Sequence, residues 1–229
     1  LEQVVYSNFE GEQKKLYAAN AVKLKEKLES GGFAETGDGR LQILAELMRL
    51  RQLCCDPRLC YENYKSESAK LETCMDLVRR GISGEHKILL FSQFTSMLEL
   101  IERRLIKEGV ASHKLTGATS KEERIRMVGE FQRDDVPVFL ISLKAGGTGL
   151  NLTAADIVIH YDPWWNVAAQ NQATDRAYRI GQKNPVQVYK LIAQDTIEEK
   201  IVELQQAKQD LAETVTGSAD GAILRMKPE

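Results

Sequence analysis

The sequence predicts an α/β protein in which a parallel β-sheet is flanked by helices. Continuous apolar, β-rich runs occupy residues 87–91, 136–141, 156–161 and 186–192. Runs of this kind are typical of strands that are buried on both faces. Amphipathic helical patterns separate most of them, and such alternation predicts parallel strands with helices on both sides of the sheet.

The N-terminal third is expected to form a mainly helical appendage. A short extended segment at residues 3–7 precedes predicted helices at 10–29, 40–53 and about 68–80. The apolar residues of the first two helices recur with helical spacing, which predicts one apolar face on each helix. These residues are Tyr17, Ala21, Leu24 and Leu28 in the first helix and Leu41, Leu44, Leu47 and Met48 in the second.

Two further helices, at 94–107 and 121–132, and a weaker strand at 112–115 complete the alternation. Asp195-Thr-Ile-Glu198 is a capping box that begins a final helix, with Asp195 in the cap role. Residues beyond about 214 are rich in Gly, Ser and Thr and predict a flexible tail. The expected organisation is a helical lead-in at 1–80, a sheet lobe at 81–194, a final helix at 195–213 and a tail at 214–229.

The composition is that of an ordinary globular chain, with 43% hydrophobic and 28% charged residues among 229. A formal net charge of −2 argues against a surface that attracts nucleic acid everywhere, but it leaves room for a local basic strip. No apolar run is long enough for a membrane span, and no signal peptide is visible. Leu1 in place of Met indicates a fragment or a processed chain.

The four cysteines give no sign of a metal site. Cys54, Cys55, Cys60 and Cys74 form no C-x-x-C pair, and no histidine lies at a metal-ligand spacing from them. A zinc site is therefore not expected. Without a secretory signal, buried reduced thiols are the expected state.

Ligands of such sheets bind beyond the carboxyl ends of the strands, which directs attention to the loops there. The loop from Ser142 to Asn151 contains three glycines in four positions, which let backbone N–H groups approach an anion. Ser142 and Lys144 can add donors, although a tight structural turn is the alternative interpretation. The spacing fits neither a P-loop nor a dinucleotide fingerprint.

Three other loops at the predicted edge carry candidate residues. Both tryptophans of the chain lie in Asp162-Pro-Trp-Trp-Asn166. Paired tryptophans often cap a core, but an indole at this edge can also stack on a sugar or enter a groove, so both interpretations stay open. The hydroxyls of Ser92 and Thr116, after two other strands, can cap a helix or bond a phosphate.

The segment from Gln172 to Gln182 carries two arginines. If residues 166–180 are helical, Gln172, Arg176 and Arg179 lie on one face. Two guanidiniums on one face suit a site that grips or stabilises phosphate charge. The alternative is a solvated helix face on which Asp175 is a local ion-pair partner.

Taken in their order along the chain, these motifs resemble those of Swi/Snf-type ATPases, the DNA-translocating branch of the helicase superfamily. The resemblance covers about residues 1–213 and concerns the second of the family's two RecA-like lobes. It implies a RecA-like parallel sheet with an N-terminal helical appendage and a C-terminal brace helix. The motifs are Lys87-Ile-Leu-Leu-Phe-Ser-Gln-Phe-Thr95, Leu115-Thr-Gly117, Ser142 to Leu152, Asp162-Pro-Trp-Trp-Asn166 and Gln172 to Gln182, with Leu50-Arg-Gln-Leu-Cys-Cys-Asp-Pro57 as the lead-in.

The resemblance also implies roles for individual residues. ATP with Mg²⁺ would bind in the cleft between the lobes, mainly on a first lobe whose phosphate loop and paired acids this chain lacks. Arg176 and Arg179 would be arginine fingers that stabilise charge on the γ-phosphate, with Gly149 and Gln172 flanking the nucleotide. Leu143 stands where a threonine is common in the family, which removes a hydroxyl contact there. The positions that would contact DNA are Ser92, Gln93, Thr116, Gly117, Lys144, Ala145 and Gly146 on the phosphate backbone and Trp165 at the groove.

The expectation is therefore the second motor lobe of an ATP-driven translocase on double-stranded DNA. The parent protein would be a monomeric hydrolase of the cytoplasm, at the bacterial nucleoid rather than in a nucleus, with no membrane partner. The lobe alone would be inactive, since its partners include both DNA and the N-terminal RecA-like lobe. The alternatives are an autonomous nucleic-acid-binding module, which the net charge disfavours, and the second lobe of an RNA helicase, whose usual His-Arg-x-Gly-Arg motif differs from Ile180-Gly-Gln182. A nucleotide-dependent transferase is disfavoured by the missing dinucleotide fingerprint.

Overall fold

The computed structural model describes residues 1–30, 37–145, 150–178 and 181–223, with only the backbone for 37, 38 and 211–223. Within these residues, six strands form one parallel sheet in the order β1-β6-β5-β2-β4-β3. The α/β class and the parallel sheet that the sequence predicts are thus confirmed. The strands are β1 (Glu2–Ser7), β2 (Ile88–Ser92), β3 (Ser112–Leu115), β4 (Val138–Ser142), β5 (Ile157–His160) and β6 (Gln187–Ala193).

Helices lie on both faces of the sheet, and their positions agree with the predicted pattern to within a few residues in most cases. A short 3₁₀ turn, Pro57–Leu59, follows the second helix. In the described chain the helices are α1 (Gly11–Glu29), α2 (Gly37–Cys55), α3 (Ala69–Ser83), α4 (Thr95–Lys107), α5 (Lys121–Phe131), α6 (Val167–Thr174) and α7 (Ile197–Ile223). No helix among the described residues has the length and apolar character needed to cross a membrane.

Two apolar clusters fill the opposite faces of the sheet. Alternate residues of each central strand enter different clusters: Leu90 packs with α3 and α4, whereas Leu89 and Phe91 pack with α5 and α6. Every residue of β2, β4 and β5 is buried, which explains why their sequences are continuous apolar runs rather than alternating ones.

The N-terminal segment shares this core. Strand β1 pairs in parallel with β6, from Glu2 opposite Val188 to Ser7 opposite Ala193. The buried face of α3 joins the cluster beneath β2 and β4. The sequence-based division at residue 80 therefore separates segments that are packed together.

The predicted apolar faces of α1 and α2 are only partly buried. Leu24 lies in the contact between the two helices, but Leu28, Leu41, Leu44 and Met48 are exposed. Helical spacing identifies a shared apolar face without identifying what covers it.

The start of the final helix also differs from the prediction. Helix α7 begins at Ile197, and the hydroxyl of Thr196 accepts a hydrogen bond from the backbone N–H of Glu198 at 3.1 Å. Thr196 is thus the capping residue, whereas Asp195 has a left-handed backbone with φ of 57°. The Glu198 side chain turns inward and pairs with Lys70.

The described backbone of α7 is helical through Ile223, beyond the predicted end at 213. Isolated Gly, Ser and Thr residues lower helix propensity by up to about 1 kcal/mol each, which weakens a helix without ending it. The composition at 214–223 therefore did not predict the backbone conformation.

The cysteines are all free, and Cys54, Cys55 and Cys74 are buried. Burial raises the pKa of the Cys74 thiol to about 12, so this side chain is a protonated part of the core. Among the described residues, no group of three or more His, Cys, Asp or Glu side chains is arranged to hold a metal ion.

Candidate functional site

The parallel sheet brings the predicted loops to one edge. Strands β2 and β4 end at Ser92 and Ser142, which lie opposite each other in the register. The backbone N–H of Leu143 donates to the Ser92 carbonyl oxygen at 3.0 Å, so the pairing continues into the glycine-rich loop. The loops after β3 and β5 start at the same edge because all these strands are parallel.

Asp162, two residues after the end of β5, connects two of these loops. The Ser92 hydroxyl donates to its Oδ1 at 2.5 Å, and the Gln93 side-chain amide donates to its Oδ2 at 2.6 Å. Burial raises the pKa of the Asp162 carboxyl, and the hydrogen bonds from Ser92 and Gln93 oppose that rise. Sequence reasoning did not single out Asp162, although a carboxylate immediately after a predicted strand was a signal.

Ser92 lies on the buried side of the hydrogen bonds that join it and Gln93 to Asp162. Its side chain is fully buried, and its hydroxyl also accepts a hydrogen bond from the Phe94 backbone N–H at 3.1 Å. Helix α4 starts at Thr95 with no side-chain cap at Phe94, so helix capping by Ser92 was the wrong interpretation. Gln93 is half-buried, so Gln93 rather than Ser92 reaches toward solvent.

The two tryptophans have different environments. Trp164 is 1% exposed and packs edge-on against Phe91 and His160, with ring centroids 6.4 and 5.7 Å away. Trp165 is 44% exposed, and its ring lies 5.6 Å from the guanidinium carbon of Arg51. Trp164 therefore caps the core, as one interpretation has it, whereas Trp165 faces outward and its contact with a sugar or a groove stays a prediction.

The loop after β3 presents a turn at the same edge. Thr116 is half-buried, and its Oγ1 accepts a hydrogen bond from the backbone N–H of Ala118 at 3.3 Å. Gly117 is exposed, and a Cβ atom at this position would meet no other atom within 4 Å. The space outside Gly117 is thus open to an approaching molecule.

The glycine-rich loop begins with one exposed cation. Lys144 is exposed, whereas Ala145 is buried and its carbonyl oxygen accepts a hydrogen bond from Arg124 at 3.0 Å. The N–H of Ala145 donates to the Ser142 hydroxyl at 3.3 Å, which supports the start of the loop. Gly146 and Gly149 lie outside the described residues.

The arginine segment does not form the continuous helix on which the shared face depended. Helix α6 ends at Thr174, and the N–H groups of Arg176 and Ala177 then bond carbonyl oxygens three residues back. This tighter winding changes the angular spacing of the side chains. As a result Gln172 is exposed and Arg176 is only 1% exposed, so the prediction of a common face was wrong for this pair. Arg179 lies outside the described residues.

His160, the last residue of β5, is buried in its neutral form. Its Nε2 lies 2.8 Å from Thr174 Oγ1, and that hydroxyl donates to the Gln170 carbonyl oxygen, so Nε2 carries the proton. Burial, aided by repulsion from Lys190, lowers the pKa of His160 to about 3. Sequence reasoning missed this residue.

We expect His160 to make the stability of the folded chain depend on pH. Between pH 3 and 6.5 the unfolded chain binds a proton that the folded chain does not, so stability falls as the pH drops through this range. The free energy of unfolding, measured in urea, should decrease by about 2 kcal/mol from pH 7 to pH 5 through this group. His160→Gln should remove that contribution, whereas His86→Gln at the half-exposed surface should retain it. Equal pH dependence in the wild type and His160→Gln would contradict the expectation.

Comparisons with known proteins agree with the fold and the motifs. The sequence profile of the helicase conserved C-terminal domain matches residues 69–181. The chain is 46% identical over 182 residues to the Bacillus subtilis protein YwqA, an ATP-dependent helicase/translocase by name. That match covers 77% of this chain and 20% of YwqA, so the chain spans about a fifth of that relative.

Two solved structures from Sulfolobus solfataricus have the same fold. The SWI2/SNF2 ATPase core in complex with dsDNA superimposes with a TM-score of 0.81 and 35% identity, covering 99% of this chain and 48% of that one. The C-terminal domain of the SWI2/SNF2 ATPase superimposes with a TM-score of 0.77, covering 91% of this chain. Since the chain is 33% identical to that domain and covers 86% of it, this protein belongs to the SWI2/SNF2 ATPase family and forms its C-terminal, helicase-type lobe.

Proposed function

We propose that this chain is the second motor lobe of an ATP-dependent translocase that moves on double-stranded DNA. The observation that carries the proposal is the arrangement of the carboxyl edge, where Trp165 and Lys144 are exposed beside loops that Asp162 ties together. An exposed indole and a cation on a rigid edge suit contacts with a groove and with phosphates. The solved relative that contains dsDNA supports the choice of a duplex.

The DNA contacts follow from what each residue can offer. Thr116 and Lys144 have side chains that reach the surface and can donate to phosphate oxygens. The Gln93 amide already donates to Asp162 and Pro163, so Gln93 would contribute by holding its loop in place. Ser92 and Ala145 are buried, so they contribute by supporting their loops. The open space at Gly117 allows a phosphate to approach, and Gly146 completes the proposed set. Contacts of this kind position the protein without selecting a sequence.

The ATP-binding site would be formed jointly by two lobes, and this chain would supply one part of it. ATP with Mg²⁺ would be held mainly by the N-terminal RecA-like lobe, and Gly149 and Gln172 would flank it from this lobe. Gln172 is exposed and suits this placement, whereas Arg176 is enclosed. Arg176, with Arg179, would therefore contact the γ-phosphate only after the segment beyond α6 shifts as the lobes close. A lobe of this kind is inactive alone, since the main phosphate-binding groups are on its partner.

The parent protein is proposed to be a monomeric ATPase whose location is the cytoplasm, at the nucleoid. The bacterial relatives support a bacterial setting. The lead-in of α1 and α2 packs against the start of the brace helix α7, where the Ile197 backbone N–H donates to the Tyr17 hydroxyl at 2.8 Å.

Lys144→Ala in the parent protein tests the proposal directly. Because Lys144 neutralises one phosphate, its loss should weaken binding to all duplex sequences equally and reduce the salt slope of log K by about 1. Salt titration of binding to two unrelated duplexes, followed by fluorescence anisotropy, measures both quantities. Lys107→Ala is the matched control, since this exposed lysine at the end of α4 lies near the opposite edge of the sheet.

An unchanged salt slope for Lys144→Ala would contradict the proposed interface. Nanomolar duplex binding at physiological salt by this chain alone would instead favour an autonomous nucleic-acid-binding module. Preference of the parent for RNA over duplex DNA would favour the RNA-helicase alternative.

A further inference from the structure

We propose that Arg51, near the C-terminal end of α2, is a positioning residue that holds Trp165 and the loop after β2 in the arrangement needed to meet DNA. The inference rests on the proposed function, because it assigns Trp165 and Gln93 to the DNA interface. It adds a residue from the helical lead-in to a site that otherwise consists of strand-end loops.

Arg51 contacts both loops at once. Its Nη2 donates a hydrogen bond to the Pro163 carbonyl oxygen at 3.1 Å, immediately before the tryptophan pair. Its guanidinium carbon lies 5.6 Å from the ring centroid of Trp165 and 5.8 Å from that of Phe94. Gln93 donates to the same Pro163 oxygen at 3.4 Å, so the two loops and α2 meet at one backbone carbonyl.

The chemistry of these contacts is unusual for a buried arginine. A guanidinium that is only 4% exposed would normally pair with a carboxylate, since burying a lone charge is costly. Within the described residues, the ion pairs found at up to 4.0 Å do not include Arg51. Its charge interacts instead with two aromatic faces, and at longer range it opposes the rise in the pKa of Asp162.

The difference in exposure between Trp165 and Arg51 indicates which of them touches DNA. Trp165 is 44% exposed and can touch a groove, whereas Arg51 lies beneath it and has little surface to offer. A guanidinium held 5.6 Å from the centre of an indole restricts the orientations of that ring, which reduces the ordering cost of binding. Arg51 therefore acts on DNA through Trp165 rather than by direct contact.

The first test measures the tryptophan environment without DNA. Quenching of intrinsic fluorescence by acrylamide, a neutral probe, reports on exposed Trp165 over buried Trp164. Arg51→Met in this chain should raise the quenching constant, and the increase should vanish in a Trp165→Ala background. Arg103→Met, on the exposed surface of α4, is the control and should leave quenching unchanged. Unchanged quenching in Arg51→Met would overturn the inference, whatever the protein binds.

The second test is a double-mutant cycle on duplex affinity in the parent protein. Arg51→Met should weaken binding by about twofold to fivefold, the loss expected for one cation–π contact. The same substitution should have no further effect when Trp165 is already alanine. Arg51→Lys, which keeps the charge and a donor but loses the planar guanidinium, should restore part of the affinity, and it replaces Arg51→Met in the cycle if that variant does not fold.

The results of these tests distinguish a failure of the positioning role of Arg51 from a failure of the proposed function. Additive effects of Arg51 and Trp165 would overturn the positioning role even though DNA binding itself is intact. Absence of duplex binding by the wild-type parent would reject the proposed function, while the quenching measurement would still decide whether Arg51 holds Trp165.

Discussion

Arg176→Ala should lower the DNA-stimulated ATPase rate of the parent protein by about 10³- to 10⁵-fold, the contribution typical of an arginine finger. The guanidinium would stabilise charge that develops on the γ-phosphate, and alanine offers no replacement. Duplex affinity should change little, because the proposed DNA contacts lie on other loops. Steady-state ATPase assays with saturating duplex, together with anisotropy measurements of binding, check both expectations.

The burial of Arg176 demands a control for folding. Since the side chain is 1% exposed, alanine also removes packing, and a loss of activity could reflect a damaged lobe. Arg176→Lys keeps the charge and most of the volume but cannot form the planar fork, so it should remain folded and still lose most of the rate. Arg103→Ala, on the exposed surface of α4, should retain wild-type turnover.

Two results would contradict the assignment. One is a folded Arg176→Lys variant with a wild-type ATPase rate. The other is ATP turnover by this chain alone that Arg176→Ala abolishes, since the lobe is expected to be inactive without its partner.

Lys70→Met should destabilise the chain by about 3–5 kcal/mol, the usual cost of removing one partner from a buried ion pair. Lys70 at the start of α3 and Glu198 at the start of α7 form a salt bridge in which both side chains are at most 1% exposed. Glu198 also accepts a hydrogen bond from the Ala193 backbone N–H at 2.8 Å. Without Lys70, the carboxylate would remain buried and uncompensated.

The double variant Lys70→Met/Glu198→Leu should recover much of this loss, because replacing both partners with apolar groups leaves no unpaired charge. Urea unfolding followed by circular dichroism gives the free energies for the cycle. Lys200→Ala is the control: Lys200 pairs with Glu203 on the surface of α7, and loss of such an exposed pair should leave the stability nearly unchanged. A double variant that is less stable than Lys70→Met would contradict the account.

The strand pattern shows how far local sequence predicts the fold. Residues 88–92, 138–142 and 157–160 are buried on both faces, and a continuous apolar run reflects that environment directly. The parallel order then places the loop ends together, which is why the candidate edge could be predicted before any geometry was known.

Other features depend on contacts between distant segments. The spacing of Gln172 and Arg176 predicts a common helix face, but the chain tightens after Thr174 and separates their exposures. Likewise Arg51 and Pro163 are far apart in sequence, and no local pattern indicates that they share a hydrogen bond. The exposed stripe of α2, with Leu41 and Leu44, has the same spacing as a buried one.

The sequence by itself determined the α/β class, the parallel sheet and the motifs that mark the second lobe of a SWI2/SNF2 ATPase, because each depends on residue type and spacing along a single element. Only the tertiary structure decided that Trp164 is core and Trp165 surface, that Asp162 joins two loops, and that Arg176 is enclosed. Burial and pairing depend on which segments meet in space, and that information is distributed over the whole chain.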